Sequence, residues 1–395
     1  METKYAEDTY VIKKINELCE NKLDNDFISD LMFLNNFKFK YYEQFAPGLN
    51  FFEYLYLWLK NFEKDDRLEA LNILKCLIFF SREEMKILSH QIFREKIKKY
   101  LLKLIIKENE ELNIFDYRGA YKQYIEYLNE SLFIALSDGA MIDYFRRQNV
   151  ENNDQIVSYY KLHLDAQFEI AFKNFEDRKK PYRFFFLIED FVASGTTFLR
   201  DKNNIEFWLN EDNINELNKC DDINNLSNKP TKKPNLKGQL IRFLKYWSHL
   251  INLNKKNKII YCPYVMTSFS KDRIKAMIKY YGSLNYIQDL EKIKILPQLI
   301  IPNELRVVKS CSSSELRNIE LKQALNIENL CKKYYNKIEK HLTPSHRLGG
   351  GIKFGFGQRG LSVIKYNNVP NNSIYLIWFP TGWNPIFPRF KRHKN

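Results

Sequence analysis

The sequence lacks a long apolar run. Its longest apolar stretches, Phe184 to Ile188 and Ile374 to Pro380, fall far short of the ~20 residues that cross a bilayer. The first seven residues carry acidic side chains and no apolar segment of the kind that a signal peptide contains. We therefore expect a cytoplasmic protein with no membrane attachment.

Cysteine chemistry is equally sparse. The six cysteines form no Cys-x-x-Cys pair and have no histidine at ligand spacing, which argues against structural zinc and against a disulfide framework. Apolar residues make up 45% of the chain, and aromatic residues are numerous, so there is ample material for hydrophobic cores. A length of 395 residues predicts more than one domain.

The net charge of +14 suggests a polyanionic partner such as nucleic acid. Lysine, asparagine and isoleucine are nevertheless abundant throughout, as in proteins encoded by AT-rich DNA, and the sequence contains no helix-turn-helix, zinc or RNP signature. Two explanations of the charge therefore remain open, a nucleic-acid surface and codon bias.

The first part of the chain has a helical pattern. Between about residue 10 and residue 112, apolar residues recur every three or four positions, and glycine and proline are almost absent. The clearest predicted helices span residues 51–62, 68–80 and 85–105. We expect an all-helical domain over residues 1–114 that packs against the rest of the chain or against a nucleic-acid or protein partner.

Short apolar runs alternate with helical patterns over residues 115–310. The predicted strands are 132–136, 183–188, 258–266 and 296–301, and helices are predicted at 141–148, from 198 and at 271–281. Strands that alternate with helices are typical of an α/β fold with a mostly parallel sheet and flanking helices. The stretch 201–238 is so rich in Asn, Asp, Lys and Pro that we expect an inserted surface loop.

The last part of the chain, residues 311–395, is expected to complete this α/β domain. It would contribute a helix over 311–342, a glycine-dense segment and a β-hairpin. The hairpin is predicted from the apolar runs 361–366 and 374–379, which are joined by turn chemistry, Asn-Asn-Val-Pro-Asn-Asn. We expect Trp378 and Trp383 to lie in a hood packed over the sheet rather than to stack on bases.

The segment from Phe184 to Arg200 carries the strongest chemical signal. A buried strand ends in two adjacent carboxylates, Glu189 and Asp190, which can accept hydrogen bonds from two vicinal hydroxyls of a sugar. Four residues after Asp190, the sequence Ser194-Gly195-Thr196-Thr197 is predicted to open a helix, where free backbone N–H groups and the helix dipole favour a phosphate. A sugar that carries a phosphate could bind the carboxylates through its hydroxyls and the turn through its phosphate.

This segment resembles the phosphoribosyl pyrophosphate (PRPP) motif of the type I phosphoribosyltransferases. The resemblance implies that Glu189 and Asp190 bind the ribose 2′- and 3′-hydroxyls, hold Mg²⁺ and take part in catalysis. It also implies that the residues from Ala193 to Thr197 bind the 5′-phosphate. Hypoxanthine-guanine enzymes place an aspartate general acid/base at the position of Ala193, whereas adenine and orotate enzymes tolerate a small residue. Hypoxanthine and guanine are therefore poor candidates for the acceptor.

A second segment, Leu132 to Arg147, resembles the first strand, the pyrophosphate loop and the following helix of the same family. Ser137, Asp138, Gly139 and Ala140 would offer backbone N–H groups to pyrophosphate. Asp138 departs from the pattern, because a carboxylate repels pyrophosphate unless Mg²⁺ lies between them. Either a metal is used, or this loop holds another ligand, or the segment is an ordinary strand-to-helix turn.

The basic hairpin that usually closes over PRPP is not apparent between residues 148 and 183. Lys161 or Arg178–Lys180 would be substitutes. We also predict that the glycine-dense segment His346–Gly357 lies beside the PRPP site and that Arg347 or Arg359 supplies the missing cation. The alternative is that this segment is a long surface turn.

The helical N-terminal region and the C-terminal run from Gly355 to Arg389 resemble phosphoribosyltransferase-like proteins of bacterial conflict and phage-defence systems. This resemblance implies a phosphoribosyltransferase that binds PRPP or a nucleotide and acts on a base, a nucleic-acid end or a protein side chain. The alternative is a catalytically inactive, nucleotide-sensing or scaffold subunit of a defence complex, with a nucleic-acid or protein partner. A homo-oligomer is left open.

Overall fold

The computed structural model describes residues 2–109, 117–149, 155–158, 182–220, 222–247, 257–286, 293–308, 318–347 and 350–389. The chain forms two compact units: a terminal unit that combines Met1–Arg82 with Glu304–Asn395, and a central unit, Glu83–Asn303. Lys161 and Arg178–Lys180 lie outside the described residues. Within the described ranges, every helix is too short or too polar for a membrane crossing.

The helices follow the predicted pattern in most of the chain. The helical patterns at 51–62 and 85–105 are confirmed, although a π-helical segment, Ile92–Ile97, interrupts the second. The α-helices are α1 (Glu2–Leu18), α2 (Asn25–Phe37), α3 (Phe51–Leu59), α4 (Arg67–Lys75), α5 (Arg82–Gln91), α6 (Lys98–Glu108), α7 (Tyr117–Asn129), α8 (Ile142–Asn149), α9 (Ile205–Leu209), α10 (Glu211–Lys219), α11 (Gln239–Trp247), α12 (Ser268–Ser283), α13 (Asn318–Tyr334), α14 (Asn336–Glu339) and α15 (Pro344–Arg347).

The central unit contains a six-stranded parallel sheet, which confirms the expected α/β fold class. The strands of the chain are β1 (Ile78–Phe80), β2 (Ser131–Ala135), β3 (Ile156–Ser158), β4 (Phe184–Val192), β5 (Arg200–Asp201), β6 (Leu236–Lys237), β7 (Lys258–Thr267), β8 (Ile293–Ile295), β9 (Leu299–Ile301) and β10 (Val363–Lys365). The order across the sheet is β3-β2-β4-β7-β8, and β9 also pairs with β7. β9 confirms the second half of the predicted strand 296–301, whereas β8 ends before that range begins. Pro297, which cannot donate a ladder hydrogen bond, lies between the two strands.

The middle strand β4 is buried at every residue except Phe191, which is half-buried. A parallel strand covered on both faces has a continuous apolar run instead of an alternating one, which is why Phe184 to Ile188 predicts it so clearly. The register aligns Ala135 of β2 with Ile188 of β4. The ends of these two strands therefore lie side by side.

The sheet order places a topological switch point between β2 and β4. The first strand of the sheet, β2, lies between the second, β3, and the third, β4. In open parallel sheets, a ligand crevice is expected outside the carboxyl ends of the strands at such a switch point. The loops after β2 and β4 border this crevice.

The first half of the stretch 201–238 contains the helices α9 and α10, so the expectation of a surface loop is wrong for this part. The hydroxyl of Tyr281 accepts a hydrogen bond from Trp208 Nε1 at 2.9 Å and donates one to Asp201 at 2.6 Å. The Asn- and Asp-rich composition conceals apolar residues at helical spacing. These buried residues are Ile205, Trp208, Leu209, Ile214 and Leu217.

The expected C-terminal hairpin is also wrong. β10 pairs in parallel with β1, and the second predicted strand contains a 3₁₀ turn, Tyr375–Ile377. Because this apolar run is buried on all sides, its composition does not distinguish a strand from a compact turn. Trp378 and Trp383 are buried in the terminal unit and donate to the carbonyls of Ser373 and Leu376, each at 2.8 Å. Their burial favours a core role over base stacking.

Candidate functional site

The loops that follow β2 and β4 meet at Asp190. The Ser137 hydroxyl donates to Asp190 Oδ1 at 3.1 Å. Gly139 is so close that a Cβ atom added to it would lie 2.1 Å from Asp190 Oδ2. The predicted pyrophosphate loop therefore contacts Asp190 of the predicted acidic pair, although 53 positions of sequence separate Ser137 from Asp190.

The two carboxylates lie within β4, not after it, and both are buried: Glu189 is 6% exposed and Asp190 3%. Successive strand residues point to opposite faces of a sheet, so the carboxylates serve different faces. Asp190 shares its face with the pyrophosphate loop and with Tyr264 of β7, whose hydroxyl donates to the Ala140 carbonyl at 2.6 Å. Glu189 shares its face with Tyr261, which stacks on Phe198 with ring centroids 3.7 Å apart.

The electrostatics of the two tyrosines match this division. Burial, followed by the negative charge of Glu189, raises the pKa of Tyr261 well above its ordinary value. Burial, followed by the negative charge of Asp190, raises the pKa of Tyr264 in the same direction. Both phenols therefore remain neutral hydrogen-bond donors beside the carboxylates.

The predicted phosphate loop, Ala193 to Thr197, is a tight turn. Gly195 has φ +73°, and the Ser194 and Thr196 hydroxyls lie 3.0 Å apart. Ser194 is buried, Thr196 is half-buried and Thr197 is exposed. A left-handed glycine between small residues can direct successive N–H groups toward an anion.

No helix opens at Ser194, contrary to the sequence prediction. Leu199 N–H donates to the Gly195 carbonyl at 3.0 Å, which closes one turn, and β5 begins at Arg200. The chain leaves the turn early because Gln239 N–H and Leu240 N–H, at the start of α11, donate to the carbonyls of Thr197 and Phe198. An anion at this loop would therefore be held by backbone N–H groups and hydroxyls, without a following helix dipole.

The predicted pyrophosphate loop already uses two of its N–H groups internally. Gly139 N–H donates to the Asp138 carboxylate at 2.8 Å, and Ala140 N–H donates to the Ser137 carbonyl at 3.2 Å. Met141 follows with φ +47°, a conformation that is uncommon for a residue other than glycine. A pyrophosphate group at this loop would have to replace the Asp138 carboxylate or bind beside it.

The structure adds site residues that the sequence did not identify. Thr267 caps α12 and donates to the Ala193 carbonyl at 2.6 Å, and Ser270 donates to the Val192 carbonyl at 3.1 Å. Gln239 links the two loops, since its Nε2 donates to the Leu136 carbonyl at 2.9 Å. Only the Thr-x-x-Ser cap after β7 is a local sequence signal, because the other contacts depend on the tertiary fold.

Arg347 and Arg359 belong to the terminal unit, and their predicted role beside PRPP stays a prediction. Arg347 is exposed and borders an open cavity together with Tyr335, Glu339 and Gly351. Arg359 is buried, and its Nε donates to the Gly357 carbonyl at 2.7 Å. Arg359 thus contacts the glycine-dense segment itself.

The switch-point crevice, the acidic pair in β4 and the two ligand-type loops define a phosphoribosyltransferase-like α/β protein. The family model PRTase-CE matches residues 56–389, which is most of the chain. The chain belongs to the PRTase-CE family. No curated protein and no solved structure matches it.

Proposed function

We propose that the crevice between β2 and β4 binds PRPP or a ribose 5-phosphate nucleotide. The observation that carries this proposal is the contact of Asp190 with Ser137 and Gly139, because it joins the acidic pair to the loop expected to bind pyrophosphate. The phosphate loop begins three residues after Asp190, directly after the same strand. One small ligand can therefore engage both loops and the carboxylate between them.

Asp190 would bind the ribose hydroxyls from the face that it shares with the pyrophosphate loop. Glu189, on the other face, would act on the ligand through the Phe198–Tyr261 side of β4. The turn at Gly195 would hold the 5′-phosphate, with the Ser194 and Thr196 hydroxyls as further donors. Arg347 or Arg359 would supply a cation to the pyrophosphate, as the sequence predicts.

The carboxylates also suit Mg²⁺, which is usually bound by one or two carboxylates together with substrate oxygens. When bound, Mg²⁺ would neutralise negative charge on the leaving pyrophosphate. Asp190 and Glu189 are the residues that would hold it. Because Asp190 and Glu189 are both buried, a nearby cation stabilises their charged forms.

In the proposed reaction, the bond between ribose C1 and the pyrophosphate oxygen breaks, and pyrophosphate leaves with the electron pair. A nucleophilic acceptor forms the new bond to C1 and loses its proton to solvent or to a base. Positive charge develops on the ribose, and buried carboxylates stabilise it. The acceptor is a base, a nucleic-acid end or a protein side chain, so the protein would be a pentosyl-transferring glycosyltransferase.

A second candidate function, nucleotide binding without catalysis, is favoured by Asp138. Its carboxylate accepts the Gly139 N–H, which is a donor that a pyrophosphate leaving group would need. A loop that is already occupied by a carboxylate suits a nucleoside monophosphate, which has no pyrophosphate. The protein would then be a sensor or scaffold.

Pyrophosphate release separates the two functions. Wild-type protein is incubated with PRPP and Mg²⁺, with and without candidate acceptors, beside the Glu189→Ala/Asp190→Ala variant. Release by the wild type alone supports the transferase. Tight binding of PRPP or AMP without release supports the sensor, and neither binding nor release contradicts both.

We also propose that the protein acts in defence against phage, on the basis of its resemblance to proteins of such systems. The locus that encodes the protein would be introduced into a susceptible host, and phage plaques would be counted. Protection that disappears with the Glu189→Ala/Asp190→Ala variant supports a role for this site. Equal protection by both forms contradicts it.

A further inference from the structure

Arg273 lies behind the phosphate loop, on α12. Its side chain is fully buried. Its Nη1 donates to the carbonyls of Ser194, at 3.3 Å, and Leu199, at 3.0 Å, and its Nε donates to the Trp208 carbonyl at 2.8 Å. One guanidinium therefore binds both ends of the turn and the insertion helix α9.

The guanidinium is also close to the centre of the turn. A Cβ atom added to Gly195 would lie 3.5 Å from Arg273 Nη1. The carbonyls of Ser194 and Leu199 point back toward this cation, so the peptide groups of the turn are oriented with their N–H groups away from it. An arginine remains protonated throughout the usable pH range, so the loop has a permanent positive charge behind it.

Neutral donors already anchor the neighbouring backbone. Thr267, the N-cap of α12, and Ser270, one turn before Arg273, donate to the carbonyls of Ala193 and Val192. A buried cation costs far more desolvation than such hydroxyls. The Arg273 guanidinium therefore places a positive charge beside the loop to which the proposed function assigns a phosphate, and that charge favours each additional negative charge on the ligand.

We propose that Arg273 is a positioning residue that gives the phosphate loop its preference for a dianionic phosphate. This inference rests on the proposed function and adds the charge state of the ligand. The charge acts on the ligand through the turn, without contact. Two charges separated by about 7 Å at an effective dielectric constant near 20 give roughly a 10- to 50-fold change in affinity.

The test compares two ligands that differ by one charge, ribose 5-phosphate and its methyl phosphodiester. Dissociation constants are measured by calorimetry for wild type, Arg273→Gln and Arg273→Lys, and the readout is the ratio of the two affinities. We expect Arg273→Gln to lower the ratio by the single-charge factor of roughly 10- to 50-fold and to weaken binding of the dianionic ribose 5-phosphate by at least about 100-fold. Arg273→Lys, which keeps the charge, should keep the ratio within about threefold.

Tyr281→Phe is the matched control. It removes a buried hydroxyl that binds Trp208 and Asp201, in the same packed region, and changes no charge at neutral pH. We expect it to lower stability and to leave the ratio unchanged. The inference is overturned if Arg273→Gln keeps the wild-type ratio of the two affinities, or if Tyr281→Phe loses it.

Three further outcomes are decisive. If Arg273→Gln does not fold, the Arg273→Lys variant decides. If Arg273→Lys loses the affinity ratio although it keeps the positive charge, the hydrogen-bonding geometry of the guanidinium matters and the charge does not. If the wild type binds neither ligand, the proposed function itself fails. If the wild type binds both and only the ratio is insensitive to Arg273, the proposed function stands and this inference fails alone.

Discussion

Replacing Gly139 by alanine tests whether the pyrophosphate loop and Asp190 form one site. Gly139 is buried, and its φ lies outside the left-handed region, so the backbone accepts an L side chain without strain. The added methyl group would nevertheless lie 2.1 Å from Asp190 Oδ2 and 2.6 Å from Cγ. The substitution thus perturbs the carboxylate and little else.

The size of the effect follows from these distances. An ordinary contact begins at 3.4 Å, so the carboxylate has to move by about 1.3 Å, and a misplacement of that size costs about 10²-fold in a reaction. Overpacking of this kind costs about 1–3 kcal/mol of stability. We therefore expect Gly139→Ala to remain folded, with PRPP binding or turnover reduced by about two orders of magnitude.

A double-mutant cycle assigns the effect to this contact. Urea denaturation and PRPP titration are carried out on Gly139→Ala, Asp190→Ala and the double variant. Because Asp190→Ala removes the clashing atoms, adding Gly139→Ala to it should cost almost no further stability, which corresponds to a coupling of about 1–3 kcal/mol. Wild-type PRPP binding by Gly139→Ala, or additive losses of stability, would refute the geometry.

Three other substitutions test different parts of the structure. Gly195→Ala should cost about 2–4 kcal/mol of stability in urea denaturation and weaken ligand binding. The alanine would be strained in the left-handed conformation of Gly195, and its methyl group would lie only 2.9 Å from the side chain of Ile274 in α12. An unchanged urea midpoint contradicts this expectation. Leu217→Ala should cost about 2–5 kcal/mol if α10 is a packed helix, whereas a loss below about 0.5 kcal/mol would indicate a surface loop. Burial raises the pKa of Glu108, but hydrogen bonds from Tyr127 and Arg183 outweigh it and hold that pKa below its ordinary value of 4.5. The stability from Glu108 is therefore complete above about pH 4.5 and is lost as the pH falls further, and Glu108→Gln should reduce this slope in denaturation curves between pH 3 and pH 6.

The sheet could be predicted from the sequence because its strands are covered on both faces. Such strands are continuous apolar runs, and the runs that begin near Leu132, Phe184 and Lys258 each became a parallel strand. The turn and helix after the first of these runs also follow from local signals. The apolar runs inside the terminal unit have the same composition, but only one of the two predicted strands there contains a strand. Complete burial removes the alternation of apolar and polar residues by which a strand is distinguished from a helix or a turn.

The helix expected after Thr197 fails for a tertiary reason. The start of α11 donates two hydrogen bonds to the turn and diverts the chain, although α11 begins about 40 residues later. The folded insertion was missed because its few apolar residues, such as Trp208 and Leu217, are separated by Asn and Asp. The average composition of this stretch is polar, but its few apolar residues are spaced so that they lie on the buried side of the helices.

The acidic pair and both loops could be predicted because each is a local motif. Their contact could not, since it depends on the register that aligns Ala135 with Ile188. Arg273 could not be identified either, because it is one basic residue in a lysine-rich helix and only the fold shows it to be buried. Its signal in the sequence is weak: an arginine three residues after the Ser270 of a helix cap.

The central claim, that the crevice holds a phosphorylated ribose, is tested most directly by titrating PRPP into the wild-type protein in a calorimeter. The titration is done with and without Mg²⁺, and D-ribose is the control ligand. We predict saturable binding of PRPP that depends on Mg²⁺, no comparable binding of D-ribose, and loss of PRPP binding in a folded Asp190→Ala variant. Absence of PRPP binding at millimolar concentration, or unchanged binding by Asp190→Ala, would contradict it.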